Sequence, residues 1–393
     1  MRVARYWYIH FMTDDARGFR TTAEETAVKT ERVAALARRE HLAGILISTQ
    51  HNFAWLTGGR SNRVDASTEG GVGALLVAAD GRRWAIVNNI EAERFATETL
   101  AGLGYEMAEF PWEGGRADPA VPLRTATSML NGGEIGADSR TGDARFVESM
   151  LTQERARLTE AELRRYAALG SNAARVVGAA VRQTRPGARE DDIAAELAAS
   201  LHLAGMRPLV LLVGADSRIN KFRHPVPTAT PWREYLLVAV CAERDGLIVA
   251  LSRVASVRRD DALQARTAAC ADVFGRIAAA TVAEATGAEI YASARAAYRA
   301  VGYDGEERLH HQGGAIGYRT REWVAHPESE DIVRAPQAFA WNPSITGTKV
   351  EETFVLHEDG RIQVLTHDPE WPSIPLDVRG TPIAAPGVWV HDA

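Results

Sequence analysis

The segment HHQGGAIGYRTRE, residues 310–322, places histidine, arginine and glutamate side chains in one glycine-containing stretch. A histidine titrates near neutral pH, so it can move a proton between a water molecule and a leaving nitrogen. Two further candidates for proton transfer lie outside this stretch, His224 in KFRHPVP and Glu351 in KVEETFVL. Arg321 stays protonated and therefore suits the binding of an anion. Together these residues predict acid–base chemistry on a small anionic substrate.

Each of these residues also has a purely structural interpretation. His224 could be hydrogen-bonded at the start of a loop. Glu351, whose pKa burial would raise, could instead pair with Arg253. Arg321 could form a salt bridge with Glu322 or with a neighbouring strand. At the level of sequence these alternatives stay open.

Three more histidines of this region give weaker signals. His310 and His311 are adjacent, and adjacent residues in a strand point to opposite faces, so we do not expect them to chelate one ion together. We interpret them as a surface pair or a hydrogen-bonded pair at the edge of a cleft. His326, in AHP, could transfer a proton and could equally be an ordinary loop residue.

Composition argues against several classes of protein. The 393 residues carry 45 basic and 51 acidic side chains, and a net charge of −6 gives no basic surface for nucleic acid. No run of about 18 apolar residues indicates a membrane span. Cys241 and Cys270 have no CxxC spacing and are expected to be buried and unpaired. We expect a cytoplasmic protein that starts at Met1 or Met12, the first eleven residues being a small extra strand or an upstream misreading.

The first half of the chain predicts a small α/β domain. Apolar residues at helical spacing begin at Ala23 and lead into LAGILIS, which is typical of a buried strand. Two strands flank the dipeptide Asp80-Gly81, a hairpin signal. IEAERFATETLAGL, residues 90–103, predicts a helix, and EIGAD, residues 134–138, predicts a last short strand.

The second half predicts an α+β domain. Thr159 and Glu162 have the spacing of a capping box before a long apolar stripe. Two apolar β runs then flank RDG at residues 244–246, which predicts an antiparallel hairpin. Two long helices and several short strands follow. The domain assignments are residues 1–155, residues 156–365 and, as an extended proline-rich tail over a surface, residues 366–393.

The hairpin, GGAIGY, AWNPSI and TKVEETFVL follow one another in an order and spacing that resemble the pita-bread family. That family includes aminopeptidase P, methionine aminopeptidase and creatinase. FAWLTGG, LTEAEL and RPGARED resemble family segments too, so the resemblance covers most of the chain. It implies an α/β creatinase-like N-terminal domain, an α+β pita-bread C-terminal domain and a homodimer.

The resemblance also implies where metal ligands should lie. The metallopeptidases of the family hold two divalent ions with two aspartates, a histidine and two glutamates. Alignment of the hairpin puts Ala239 and Ala250 at the aspartate positions. Gly314 falls at the histidine and Asn342 at the first glutamate, so that only Glu351 keeps a ligand. We therefore predict no metal and no cofactor.

Creatinase is similar to this case, because it has the same fold without the metals and hydrolyses a guanidino C–N bond with histidine and carboxylate groups. In this resemblance His224 takes the place of a substrate-side histidine. Arg63 would be a clamp that reaches the neighbouring subunit's cleft, or would lie on a solvated loop. The predicted catalytic residues are His224, Glu351 and Glu322, and the predicted substrate-binding residues are Arg321, Tyr318, His311, His326, Arg63 and Asn342.

Three functions follow as hypotheses. The favoured one is a metal-independent hydrolase or lyase that acts on a C–N bond of a small carboxylated substrate. The alternatives are a non-catalytic peptidase-like binding protein and an aminopeptidase P-like metallopeptidase with a displaced metal site, for instance at His310, His311 and Glu351. The first hypothesis predicts that His224, Glu351, Arg321 and Glu322 converge on one enclosed pocket.

Overall fold

The computed structural model describes residues 23–391, which form two domains. The proposed N-terminal extra strand and both candidate start positions lie outside these residues. No helix among residues 23–391 is long and apolar enough to cross a membrane. Cys241 and Cys270 are buried and free, as their spacing predicts. The homodimer and the cytoplasmic location stay predictions.

The N-terminal domain is built on a six-stranded sheet. Its strands are β1 (Gly44–Thr49), β2 (Gly70–Ala78), β3 (Arg83–Asn88), β4 (Glu106–Phe110), β5 (Ile135–Ala137) and β6 (Arg145–Phe146). Its helices are α1 (Ala23–Arg39), α2 (Gln50–Leu56), α3 (Ala92–Arg94), α4 (Trp112–Ala117), α5 (Val121–Met129) and α6 (Glu148–Ala156). The strand order is β4-β3-β2-β1-β5-β6, so the predicted aliphatic strand lies inside the sheet as β1.

Local sequence explains most of these elements. The apolar run of β1 is buried because β1 has a paired strand on each side. Gly81 takes the positive φ of 88° that the turn between β2 and β3 requires. The predicted helix over residues 90–103 is correct only in part: α3 ends at Arg94, and a π-helical turn, Phe95–Thr99, continues it. This wider turn buries the side chain of Phe95 against Phe53.

The C-terminal domain contains the remaining elements. Its helices are α7 (Glu160–Gln183), α8 (Glu190–Leu203), α9 (Ser217–Lys221), α10 (Asp261–Ala280) and α11 (Gly287–Ala300). Its first strands are β7 (Arg207–Ala215), β8 (Tyr235–Arg244), β9 (Leu247–Ser256), β10 (Gly313–Ala315), β11 (Gln337–Trp341), β12 (Ser344–Ile345) and β13 (Thr348–Lys349). Its last strands are β14 (Glu352–Leu356), β15 (Ile362–Val364), β16 (Ser373–Val378), β17 (Thr381–Pro386) and β18 (Val388–Val390).

Two four-stranded sheets and two pairs of helices organise this domain. One sheet has the order β18-β9-β8-β7 and packs against α7 and α8, and the other has the order β10-β11-β14-β15. The sheets meet where the backbone N–H of Ser252 on β9 donates to the carbonyl of Glu351, at 3.1 Å. The hydroxyl of Thr353 on β14 also accepts from the N–H of Ala250, at 2.8 Å. The candidate residues lie along this junction.

Both ends of the C-terminal domain are fixed by side chains or pairing. Thr159 accepts a hydrogen bond from the N–H of Glu162, whose carboxylate accepts from the N–H of Thr159, so the predicted capping box begins α7. The C-terminal segment contains three paired strands. The strands β16 and β17 form a hairpin on α10, while β18 adds a parallel strand to β9.

Candidate active site

A buried carboxylate held by two cations lies at the junction of the sheets. Glu351 lies between β13 and β14, and its side chain is 5% exposed. One of its oxygens is 3.1 Å from Nζ of Lys349, and the other is 3.1 Å from Nη2 of Arg321. The guanidinium of Arg321 also donates to the carbonyl of Thr320, at 2.6 Å. We call Lys349, Arg321 and Glu351 the ionic triad.

Three histidines lie together beside the ionic triad. Nε2 of His224 and Nε2 of His310 are 2.9 Å apart and share a hydrogen bond. The rings of His310 and His311 stack with centroids 4.4 Å apart. One ring nitrogen from each residue lies within 4.8 Å of the other two. The prediction that adjacent histidines diverge is therefore wrong, because residues 310 and 311 precede β10 and do not have strand conformation.

Hydrogen bonds fix the loops that carry these histidines. His224 follows α9, and His310 follows a 3₁₀ turn at Glu306–Arg308. The guanidinium of Arg223 forms an ion pair with Glu306 and donates to Thr346 at 2.9 Å. The chain next to His224 is thereby attached to the turn before His310 and to the loop before β13. We infer that Arg223 positions the histidines and does not take part in chemistry itself.

Burial and the two cations keep the imidazoles neutral. Burial, aided by Lys349, lowers the pKa of His310 to about 2. Burial of part of the ring, followed by Arg321 and Lys349, lowers the pKa of His311 to about 4, although the residue as a whole is exposed. Partial burial and Lys349 also lower the pKa of His224, which is exposed. A neutral imidazole has a free lone pair, so His224 can accept a proton from water near neutral pH.

The carboxylate of the ionic triad is ionised. Burial alone would raise the pKa of Glu351, but Lys349 and Arg321 together lower it. The expected raised pKa is therefore wrong, and so is the alternative pairing with Arg253. The guanidinium of Arg253 instead binds the carboxylate of Glu352, at 2.8 Å. Arg321 forms its salt bridge with Glu351, which directly precedes the strand β14. A pairing of Arg321 with a neighbouring strand was one of the alternatives predicted from the sequence.

Two predicted residues lie in other networks. The hydroxyl of Tyr318 donates to Glu162 at 2.8 Å, so its ring faces the seam between the domains. The carboxylate of Glu322 binds Arg155 at 2.7 Å and accepts from the N–H of Tyr318 at 3.0 Å. Both partners hold this carboxylate away from the histidines. The geometry therefore disagrees with a catalytic role for Glu322 and with substrate contact by Tyr318.

The last three predicted residues are dispersed. Arg63 forms a hydrogen bond with Gln50 and lies 3.6 Å from Glu243, and its reach into a neighbouring subunit stays a prediction. The exposed His326 accepts a hydrogen bond from the N–H of Glu328, at 3.2 Å, in a turn. Asn342 is buried, and its side-chain oxygen has no partner among the described residues. Asn342 directly follows β11, and the substrate-binding roles of Asn342 and His326 stay predictions.

Two residues of the site were missed by sequence reasoning. Lys349 was not singled out, although only three lysines occur in the chain. His310 was considered as half of a histidine pair and as a possible ligand of a displaced metal, but not as a partner of His224. The scarcity of lysine next to a candidate glutamate is a signal that could have identified Lys349.

Comparisons with known proteins agree with this architecture. Residues 163–362 match the model of metallopeptidase family M24, and residues 29–162 match the model of the creatinase/prolidase N-terminal domain. The chain belongs to metallopeptidase family M24. This result confirms the predicted pita-bread fold and creatinase-like N-terminal domain. No curated protein sequence matches this M24 protein significantly.

Solved structures share the M24 fold at low sequence identity. Dipeptidase PepE from Mycobacterium ulcerans has a TM-score of 0.73 and 20% identity, covering 89% of this chain and 98% of that chain. The Xaa-Pro dipeptidase from Bacillus anthracis has a TM-score of 0.68 and 19% identity, covering 88% and 98%. The N-terminal domain of FACT complex subunit SPT16 from Cicer arietinum has a TM-score of 0.64 and 11% identity, covering 88% and 97%. At these identities the likeness shows the fold alone.

The metal pair that the M24 family name implies does not fit the residues at this junction. Ala239 lies opposite Ser252 and Cys241 opposite Ala250, which puts all four side chains on one face of the hairpin. That face presents methyl groups, a hydroxyl and a thiol whose pKa burial raises to about 11. None of these four groups is a carboxylate that could bind a hard cation, and Glu243, further along the same face, is bound to Arg207 at 2.7 Å. The oxygens of Glu351 already contact two side-chain cations.

Proposed function

We propose that this M24 protein is a hydrolase that cleaves a C–N bond of a small carboxylated substrate without the metal pair of its family. The observation that carries the proposal is the ionic triad beside three neutral imidazoles. Two cations bind the carboxylate that would otherwise bind metal ions, and the histidines supply proton transfer. The arrangement thus supports acid–base catalysis of the kind predicted from the sequence.

The exposed histidine is suited to move the proton. His224 accepts a proton from water, and the resulting hydroxide forms a bond to the electrophilic carbon of the substrate. The C–N bond then breaks as the imidazolium of His224 returns the proton to the leaving nitrogen, so that atoms and charge balance. His310 stays neutral because burial, aided by Lys349, lowers its pKa, and its hydrogen bond to His224 fixes the orientation of that ring.

A displaced metal site is the second candidate, and the histidine cluster favours it. Three neutral imidazoles with nitrogens within 4.8 Å of one another suit a borderline metal such as Zn²⁺. The field of Lys349 and Arg321, which lowers the pKa of these imidazoles, opposes a dication in the same way. We therefore rank this candidate below the metal-independent hydrolase.

A substrate screen with a chelator tests the two candidates. Guanidino acids, N-acyl amino acids and prolyl dipeptides are incubated with the purified protein, with and without EDTA. We expect turnover of a carboxylated C–N substrate that persists in EDTA and is lost in His224→Ala. The matched control His202→Ala removes an exposed histidine at the end of α8 and should keep full activity.

Other results would select another function. Activity that EDTA abolishes and one Zn²⁺ per chain restores, with no Zn²⁺ bound by His311→Ala, would support the displaced metal site. An absence of turnover on every substrate class would favour a non-catalytic binding protein.

A further inference from the structure

The ionic triad carries one more positive than negative charge in a place largely closed to water. The side chains of Lys349, Arg321 and Glu351 are 6%, 13% and 5% exposed. Glu351 is ionised because its two partners lower its pKa. The three neighbouring imidazoles are neutral near pH 7, and the thiol of Cys241 stays protonated. The local net charge is therefore +1.

A buried charge without a counter-charge is unfavourable, so the missing partner is a single anion. Among the described residues, the neighbouring carboxylates already form salt bridges with other cations. Glu322 binds Arg155, and Glu352 binds Arg253. The protein itself therefore does not supply the compensating charge in residues 23–391.

The two cations also keep unused hydrogen-bond donors. The Nε–H of Arg321 is buried and has no partner among the described residues. The ammonium of Lys349 has three N–H groups, and Glu351 is the one polar side chain that it contacts within residues 23–391. Donors of this kind call for a negatively charged acceptor.

We propose that Lys349 and Arg321 form the subsite that binds the carboxylate of a monoanionic substrate, with Lys349 as the specificity-determining residue. The identity of the ligand as a substrate rests on the proposed function, whereas the binding of a carboxylate does not. The subsite lies at the carboxylate where other family members hold metal ions. Binding there holds the rest of the substrate near His224, on whose ring Lys349 already acts electrostatically.

The charge of the subsite selects a monoanion. One carboxylate brings the local charge from +1 to zero. A dianion such as phosphate would leave an excess negative charge next to the buried Glu351. A planar carboxylate also matches the fork of donors on a guanidinium.

Calorimetric titration with N-acetylglycine and its neutral amide, N-acetylglycinamide, tests the subsite without any turnover. We expect the wild-type protein to bind the acid and not the amide. Lys349→Met should weaken binding of the acid by about tenfold to hundredfold, as for the loss of one buried hydrogen bond to a charged group. Lys349→Arg should keep most of the affinity. Lys221→Met removes an exposed lysine of the same domain and should leave affinity unchanged.

A second variant should increase the affinity for the acid, which a merely structural role of the ionic triad would not produce. Glu351→Gln raises the local charge from +1 to +2, so N-acetylglycine should bind more tightly. The thermal melting temperature of this variant should rise more with added acid than that of the wild type. Weaker binding in Glu351→Gln, in a protein that circular dichroism shows to be folded, would overturn the proposal.

The remaining outcomes also decide between subsite and function. Equal binding of the amide, an unchanged affinity in Lys349→Met, or chloride binding that competes with the acid at equal concentration would overturn the carboxylate subsite. Lys349-dependent binding of the acid without turnover of any C–N substrate would support the subsite while the proposed hydrolase fails. Turnover that persists in Lys349→Met at unchanged KM would support the proposed hydrolase, while the carboxylate subsite would fail.

Discussion

Two buried ion clusters of this protein differ in their balance of charge. At the domain seam, Lys29 contacts Glu25 at 2.7 Å and Glu162 at 2.6 Å, and Arg165 makes a bidentate pair with Glu25. Within residues 23–391, two cations meet two carboxylates in this cluster, so their charges balance. The ionic triad at the sheet junction has two cations and one carboxylate. We infer that the seam cluster joins the domains and that the ionic triad is incomplete until an anionic ligand binds.

Loss of one cation should lower the free energy of unfolding more in the seam cluster than in the ionic triad. Lys29→Met would leave two buried carboxylates with a single cation, so we expect the free energy of unfolding to fall by about 3–5 kcal/mol. Urea unfolding monitored by circular dichroism measures this change. Lys221→Met is the matched control and should shift the free energy by less than about 0.5 kcal/mol. A loss equally small in Lys29→Met would remove the contrast between the clusters.

Enzymatic activity should depend on the histidines beside the ionic triad more than on the seam cluster. His224→Ala removes the group that accepts and returns the proton, so kcat should fall by about 10²–10⁴-fold, because that is the usual contribution of a general base. Urea unfolding should show little change, since His224 is exposed. Steady-state kinetics on the substrate found in the screen measures kcat. A variant with unchanged kcat would assign the chemistry to another group.

Acid should destabilise the group of three histidines and the seam cluster in different pH windows. The pKa of His311 is lowered to about 4, so its contribution to stability is present above pH 6.5 and is lost as pH falls towards 4. The Arg165 and Lys29 cations lower the pKa of Glu25 to about 2 against the effect of burial, and its contribution is lost between pH 4.5 and 2. Urea unfolding midpoints measured as a function of pH test this assignment. The fall in midpoint that belongs to the His311 window should be absent in His311→Asn, and the fall that belongs to the Glu25 window should be absent in Glu25→Gln. The same windows in both variants would contradict this assignment.

The smallest effect is expected for the unpaired charge of the ionic triad. Lys349→Met leaves a neutral Arg321–Glu351 pair, so the free energy of unfolding should change by about 1 kcal/mol or less, and an increase is compatible with the loss of a buried excess charge. The same urea titration measures it. A loss as large as that of Lys29→Met would show that Lys349 is structural.

Sequence predicted the elements whose signals are local. The capping box at Thr159, the turn at Gly81 and the aliphatic strand β1 each depend on residues a few positions apart. The ordered motifs of the second half predicted the pita-bread fold. These features needed no knowledge of distant contacts.

The partners of the charged residues could not be predicted in the same way. Lys29 and Glu162 are 133 positions apart, and Arg155 and Glu322 are 167 positions apart. Periodicity places a residue on an element, but it does not tell which distant carboxylate its side chain reaches. Alignment put Glu322 next to Arg321 at the cleft, and Arg155 from the other domain draws its carboxylate away.

The most direct test of the central claim is the metal content of the protein after dialysis against Mn²⁺, Co²⁺, Zn²⁺ or Fe²⁺, measured by elemental analysis. Because Lys349 and Arg321 contact both oxygens of Glu351, and because positions 239 and 250 of the hairpin carry alanine, we predict no bound pair of ions. Lys349→Met should give the same result, since the missing ligands are not restored. Two ions per chain, lost in Glu351→Gln, would contradict the account.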